Sequence, residues 1–339
     1  MKKTIIKGLI VSGLVIAGLG TSASIAGNKK LAQTGFEFLS VVSDAKASAT
    51  GCAMTSLEAG SSSLFFNPAG MGNMGTVLDA TASMNQWIAD IKHNAFSIAV
   101  RPKGGRWGVL GFSFQSVDYG DFYGTRVDKG VDQGYSDTGI FEPLAMAVGV
   151  GYAKPLTDRF CVGGQVRWVK QRLGESMIPV ISAEQDTTEG VAKNELTPLA
   201  FDFGTQFKTG IKSLVFGMSV RNFSKEIKYV EEGFQLPLVF NLGISMNLMD
   251  FLKEVPLKQS LVLSVDACHF RSHPEQLRVG LDYRLMGILS IRGGYMSSED
   301  ESGFSFGTGV KYMGVGLDYA YTPYGVFDKV QRMTARFSL

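Results

Sequence analysis

Leu144-Ala145-Met146-Ala147-Val148-Gly149-Val150-Gly151-Tyr152-Ala153 decides the fold class of this chain. A large apolar side chain stands at every second residue, with only Ala or Gly between. A period of two belongs to extended backbone, whose side chains point to opposite faces in turn. The pattern spreads in both directions. Phe160, Val162, Gly164, Val166 and Trp168 alternate with Cys161, Gly163, Gln165 and Arg167. Leu199, Phe201, Phe203 and Phe207 alternate with Ala200, Asp202, Gly204, Gln206 and Lys208. The chain ends on Met333, Ala335, Phe337 and Leu339 against Arg332, Thr334, Arg336 and Ser338.

From about Val77 onward such segments of roughly ten residues follow one another, about 14 in all, an even number. Alternation alone fits a soluble sandwich as well as a barrel, because it does not say which face meets water. Three features favour the barrel. The strands are long. Many positions on the polar face carry Gly or Ala instead of the Lys and Glu of a solvated face. The connections alternate in length, and the long ones, near 118–139, 174–195 and 222–235, all fall at one end. Short turns on one side and longer loops on the other are the outer-membrane rule. The expected fold is all-β: a transmembrane antiparallel β-barrel of about 14 strands with an N-terminal hatch inside its lumen.

Composition agrees. The chain has 339 residues, 41 Gly, 10 Pro and 23 Phe, with 19% charged residues, which leaves little solvated surface. The net charge of +2 excludes a basic nucleic-acid footprint. The N-terminus reads as a secretory leader: Lys2, Lys3 and Lys7, then an apolar run from Gly8 to Gly20, then small residues. Cleavage is expected after Ala23 or Ala26. The organisation is a signal peptide at 1–26, a hatch at 27–76 and a barrel at 77–339. The location is the outer membrane of a Gram-negative bacterium, with its lipid as the first partner.

The hatch is the long non-alternating segment of the mature chain. It combines small residues (Ala45, Ala47, Ser48, Ala49, Gly51, Ala53) with apolar ones (Phe36, Phe38, Leu39, Phe65, Phe66). Within it, Asn67-Pro68-Ala69-Gly70 reads as a rigid elbow into the first strand. A residue before proline is biased toward extended backbone, Pro68 fixes φ, and Gly70 permits a left-handed turn.

Catalytic chemistry has no constellation to work with, and no cofactor or metal motif is present. The three histidines, His93, His269 and His273, have no zinc spacing, and no Gly-x-Ser-x-Gly elbow links a strand to a helix. The protein reads as a non-enzyme. The three cysteines, Cys52, Cys161 and Cys268, read as small core residues or as one pair with one left over. The polar-face charges are the stronger lead. Arg167, Asp202, Arg221, Asp266, Arg278, Asp282, Arg284, Arg292, Lys311, Asp318, Arg332 and Arg336 are expected to line the lumen. Their mixed signs suit salt-bridge ladders that stiffen the wall or hold the hatch, or a selectivity ring. Tyr119, Phe122, Tyr123 and Tyr135 in the 118–139 loop offer a recognition surface on an otherwise solvated segment.

Three stretches carry a resemblance. Gly35-Phe36-Glu37-Phe38-Leu39, Ala45-Lys46-Ala47-Ser48-Ala49-Thr50-Gly51, and Leu64-Phe65-Phe66-Asn67-Pro68-Ala69-Gly70-Met71 resemble hatch motifs of the FadL-type outer-membrane family. They are closer still to its PorV/PorQ branch, associated with type IX secretion. The chain departs from that branch at Cys52-Ala53-Met54, where small, glycine-rich residues are usual. The branch resemblance implies a component of protein secretion and surface delivery, with secreted cargo proteins or secretion-system subunits as partners. The wider family implies the alternative, a transporter of long-chain fatty acids or other hydrophobic molecules. Its small-molecule pocket would then be built from Phe36, Phe38, Leu39, Phe65 and Phe66.

Overall fold

The computed structural model describes residues 34–181, 187–229, 232–252, 258–297, 303–325 and 329–339; the expected leader lies outside them. The first strands are β1 (Leu78–Gln86), β2 (Lys92–Val100) and β3 (Val109–Asp118), followed by a hairpin, β4 (Phe122–Val127) and β5 (Tyr135–Phe141). Next come β6 (Leu144–Pro155), β7 (Phe160–Ile181), β8 (Thr187–Leu196), β9 (Leu199–Lys208) and β10 (Val215–Phe223). Two short strands follow, β11 (Ile227–Lys228) and β12 (Gly233–Phe234), then β13 (Val239–Asn247) and β14 (Ser260–Phe270). The last five are β15 (Gln276–Leu285), β16 (Leu289–Met296), β17 (Phe304–Tyr312), β18 (Val315–Pro323) and β19 (Lys329–Ser338).

Fourteen of these close into one antiparallel ring, each paired with its neighbour along the chain and β19 with β1. At the seam Ala82 lies opposite Ala335, and Val77 N–H donates to Leu339 O at 2.7 Å. Closure leaves no ring strand with an unpaired edge, which lipid would not tolerate. The tight turns, such as Met313-Gly314, lie at one end. The β4–β5 hairpin and the part of β7 that runs past the ring to pair with β8 lie at the other. The longer link on the tight-turn side carries a 3₁₀ turn, Leu248–Phe251, capped by the Asn247 side chain.

The ring settles which face is which. Val150, Phe203 and Leu317 point outward and are 62%, 55% and 64% exposed; Arg167 and Asp202 point inward at 2% and 0%. Apolar residues out and polar residues in is the membrane arrangement, the reverse of a sandwich.

Residues 34–76 lie inside the ring. Helix Ala45–Ala49 opens with Asp44, whose carboxylate accepts from Ala47 N–H at 2.9 Å, an N-cap. Its alanines are buried, and their small size lets the helix sit against β16 to β19. The 3₁₀ turn Gly60–Phe65 packs on β1, β2 and β3, and Pro68–Met71 packs on β6, β7 and β9. Each piece thus touches a different sector of the wall. Asn67 is extended (φ −145°, ψ 104°), as its place before proline requires. Gly70 corrects the expectation: it is not left-handed. It belongs to the 3₁₀ turn, where the Leu57 carbonyl and the Ser63 side chain leave no room for a Cβ.

Candidate functional site

The elbow is a latch between hatch and wall. Asn67 is buried, and its amide donates to Thr55 O at 2.7 Å within the hatch and to Thr205 O at 3.0 Å on β9. Its oxygen accepts from Ala69 N–H at 3.1 Å. Gly204 on β9 faces it so closely that a Cβ there would fall 1.9 Å from the Asn67 oxygen. Replacing Asn67 by Ala removes the amide donor to Thr55 O and Thr205 O and the acceptor of the Ala69 N–H, leaving Thr55 O with only the longer bond from Gln206 Nε2 at 3.4 Å. We expect Asn67→Ala to cost about 1–3 kcal/mol and to raise protease cleavage within 55–72. Unchanged protection of that segment would remove the latch role.

The inward charges divide into groups. The largest is a ladder whose two ends are both on the hatch helix. The Asp44 carboxylate meets the Arg336 guanidinium, Arg336 Nε donates to Asp318 at 2.8 Å, and Arg292 donates to Asp318 at 2.7 Å. Arg292 also pairs with Asp282 at 3.2 Å, and Asp282 stands 3.9 Å from the Lys46 ammonium. Burial draws the Lys46 ammonium down to about 8; Asp282 opposes that shift, and Arg284, Arg292 and Arg336 add to it. A second group joins Arg167 to Asp202 through contacts of 2.7 and 2.8 Å, with Asn222 N–H donating to the same carboxylate at 2.7 Å. Asp266 accepts from the hatch Thr55 N–H at 2.9 Å. Arg332 donates to Val42 O at 2.8 Å and to Ser48 Oγ at 2.7 Å. The Arg167–Asp202 group joins wall strands to one another, and the other charges tie hatch to wall. Lys311 is a correction: it keeps the inward register but sits exposed at the end of β17, beside the Met313-Gly314 turn. Arg284, near the same end, has a side chain 38% exposed and reaches Asp282 at 3.4 Å.

The five hatch apolar residues do not form one pocket. Phe36, Phe38 and Leu39 pack with Val117, Val169 and Leu236, while Phe65 and Phe66 pack with Met54 and Ala95. Their role in the structure is core packing, at roughly 1.5–3 kcal/mol for each fully buried side chain. The open space lies elsewhere. Between the upper surface of the hatch, within residues 37–52, and the loop-side ends of the wall is a cup of about 310 Å³. Its walls include Trp87, Phe270 and Tyr324, with Arg278 and Arg332 among them. Trp87 meets Tyr324 edge-on at 5.0 Å; Arg332 lies 5.4 Å from the Trp87 ring and Arg278 5.2 Å from the Phe270 ring. Below the cup are two smaller chambers, about 20 and 10 Å³, that share the Arg221 wall.

Alternation placed Arg278 and Arg332 on the inner face, but it did not single out Trp87, Phe270 or Tyr324. These stand at strand ends or in loops, where period two carries no signal. Cys52 has a left-handed backbone (φ 61°) just after Gly51 (φ 59°), a place where glycine costs least. None of the three cysteines forms a disulfide with another. His269 is exposed and pairs with Glu275 at 3.1 Å, and among the described residues no group of metal-ligating side chains occurs. On the loop side, Tyr123 of the β4–β5 hairpin is 81% exposed, and Phe122 stacks on Phe141 at 5.6 Å.

No family model matches this sequence, and no curated protein matches it. Solved structures do. The CymD monoaromatic hydrocarbon channel aligns with a TM-score of 0.55 at 11% identity, over 88% of this chain and 97% of that one. The Pseudomonas putida toluene transporter TodX gives 0.54 at 12% identity, over 86% and 95%. A Pseudomonas aeruginosa FadL homologue gives 0.52 at 12% identity, over 87% and 98%. At such identities the likeness is one of fold: this chain has the barrel architecture of outer-membrane channels of the FadL type.

Proposed function

We propose that this protein sits in the outer membrane of a Gram-negative bacterium and admits small hydrophobic molecules, without enzymatic chemistry. The observation that carries the reading is the cup: an aromatic-walled space at the loop end of the barrel whose floor is the hatch. A pocket of this size at the lower end of the ligand range takes a compact apolar molecule. The chambers beneath are about 20 and 10 Å³, room for about one water each, so onward passage needs the hatch to shift. The solved structures of like fold include a monoaromatic hydrocarbon channel and a toluene transporter, in keeping with this reading. Long-chain fatty acids are one candidate cargo class among hydrophobic molecules.

The secretion reading keeps one observation, the exposed aromatics of the β4–β5 hairpin, which suit a protein partner. Native mass spectrometry of the protein extracted from its own outer membrane separates the two. The expected result is a bound apolar small molecule at one per barrel. A stoichiometric protein partner with no apolar molecule would overturn the channel reading in favour of secretion.

A further inference from the structure

The three cysteines do not share one environment. Cys161, on β7, is fully buried, and its thiol donates to Ala69 O at 3.2 Å. It belongs to the packing of the elbow. Cys52 and Cys268 stand elsewhere, and near each other. Cys268 is buried and points inward from β14, next after Asp266 in the inward row and opposite Asn241 on β13. Cys52 is half-buried in the left-handed turn of the hatch.

Contacts on either side of Cys52 fix where it lies. Before it, Thr50 and Gly51 stand against the wall at Gly280 on β15 and Gly294 on β16. After it, Thr55 N–H donates to Asp266 on β14 at 2.9 Å. Cys52 itself lines the larger of the two small chambers, together with Arg278 and with Asn241, the cross-strand partner of Cys268. The charge of Cys52 reaches Cys268, as do those of Arg278 and Arg221. Cations beside a thiol favour the thiolate, the form that attacks a disulfide, against the burial that disfavours any anion. Cys52 also lines the cup, so a reagent entering from the loop end meets its thiol first.

We propose that Cys52 and Cys268 are a redox pair whose disulfide fastens the hatch turn to β14. The oxidant is a small disulfide that enters the cup. The Cys52 thiolate attacks one of its sulfurs and forms a mixed disulfide; the other sulfur leaves as a thiolate and takes up the proton that Cys52 released. The Cys268 thiolate then attacks the Cys52 sulfur. The Cys52–Cys268 bond forms, and the second half of the oxidant leaves as a thiol with the proton from Cys268. Two protein thiols are oxidised and one disulfide is reduced to two thiols. Cys161 takes no part, because Ala69 and Gly72 of the hatch cover its sulfur. The bond adds a covalent tie between the Thr50 and Thr55 contacts, whatever the barrel admits.

The test uses the full barrel in detergent, reduced, freed of reductant and treated with hydroxyethyl disulfide. The protein is then unfolded, alkylated with iodoacetamide and digested for mass spectrometry. The expected result is a linked peptide pair joining Cys52 to Cys268, with Cys161 alkylated and the link reversed by mercaptoethanol. In Cys268→Ser the reaction is expected to stop at a mercaptoethanol adduct on Cys52, and in Cys161→Ser the link is expected to form as in the parent. Alkylation of all three cysteines, an adduct on Cys52 that persists in the parent, or a link through Cys161 overturns the pairing. In a urea series, tryptic cleavage after Lys46 is expected to begin at a higher concentration in the linked protein than in the reduced one. An unchanged onset overturns the fastening of the hatch.

Discussion

Gly294→Ala is expected to expel the hatch from the barrel. Gly294 points into the lumen from β16, opposite Gly280 on β15. A Cβ placed there would fall 1.9 Å from Gly51 N, 2.4 Å from Thr50 C and 2.7 Å from Gly51 Cα. All three are backbone atoms, so no side-chain rotation relieves the clash. Overpacking a core costs about 1–3 kcal/mol, occasionally more, when neighbours can yield; here the neighbour is the turn that carries the left-handed Gly51 and Cys52. The ring pairs through its own strands, so the barrel should still form and keep its heat-modifiable gel mobility. Limited proteolysis then gives the readout, with cleavage between residues 35 and 76 in the variant and protection in the parent. The adjacent Gly293→Ala is the control, because nothing lies within 4 Å of a Cβ at that position. Equal protection in both variants would mean that the wall, not the hatch, yields.

The second large effect is expected at Asp318. Its two oxygens serve two guanidiniums, accepting from Arg292 at 2.7 Å and from Arg336 at 2.8 Å. The three side chains are 7%, 4% and 16% exposed. Removing the shared partner leaves two enclosed cations with one carboxylate each, Asp282 for Arg292 and Asp44 for Arg336, and no acceptor between them. Breaking a buried pair in this way costs roughly 3–5 kcal/mol, against about 0–1 kcal/mol for a surface pair. Asp318→Ala should therefore lower the urea midpoint of the detergent-solubilised barrel well beyond any surface change. Adding Arg336→Ala to it should cost less than that substitution does alone, because the Arg336–Asp318 bond is already gone. Full additivity would show that the two residues act independently. The route by which the damage reaches the hatch is the Arg336–Asp44 contact, since Asp44 also caps the hatch helix.

Much of the architecture is written in local pattern. Period two along 144–153 and its counterparts sorts each strand into two faces, and that sorting holds from Arg167 to Arg336. It holds because neighbouring residues of a strand must point apart, whatever the strand pairs with. The even strand number and the one-sided placement of the long loops likewise follow from features spaced along the chain. The same reasoning stops at contacts between distant residues. The small residues of the inner face read only as unlike a solvated surface. Gly204 and Gly294 are small because Asn67 and Gly51 approach them from the hatch. The five hatch aromatics and leucines read as one set, but their neighbours divide them between two sectors of the wall. Lys311 shares the parity of its lumen-facing neighbours, yet its place at a strand end puts it in solvent, which parity cannot register.

The sequence by itself determined that this is an all-β chain with one apolar and one polar face per strand, preceded by a small-residue segment of a different kind. Only the tertiary structure decided that the apolar face looks outward and that the ladder from Asp44 to Lys46 runs through the wall. The reason is range. Strand identity depends on residues one or two apart, whereas Arg332 holds Val42 across 290 positions, and only closure of the ring brings them together.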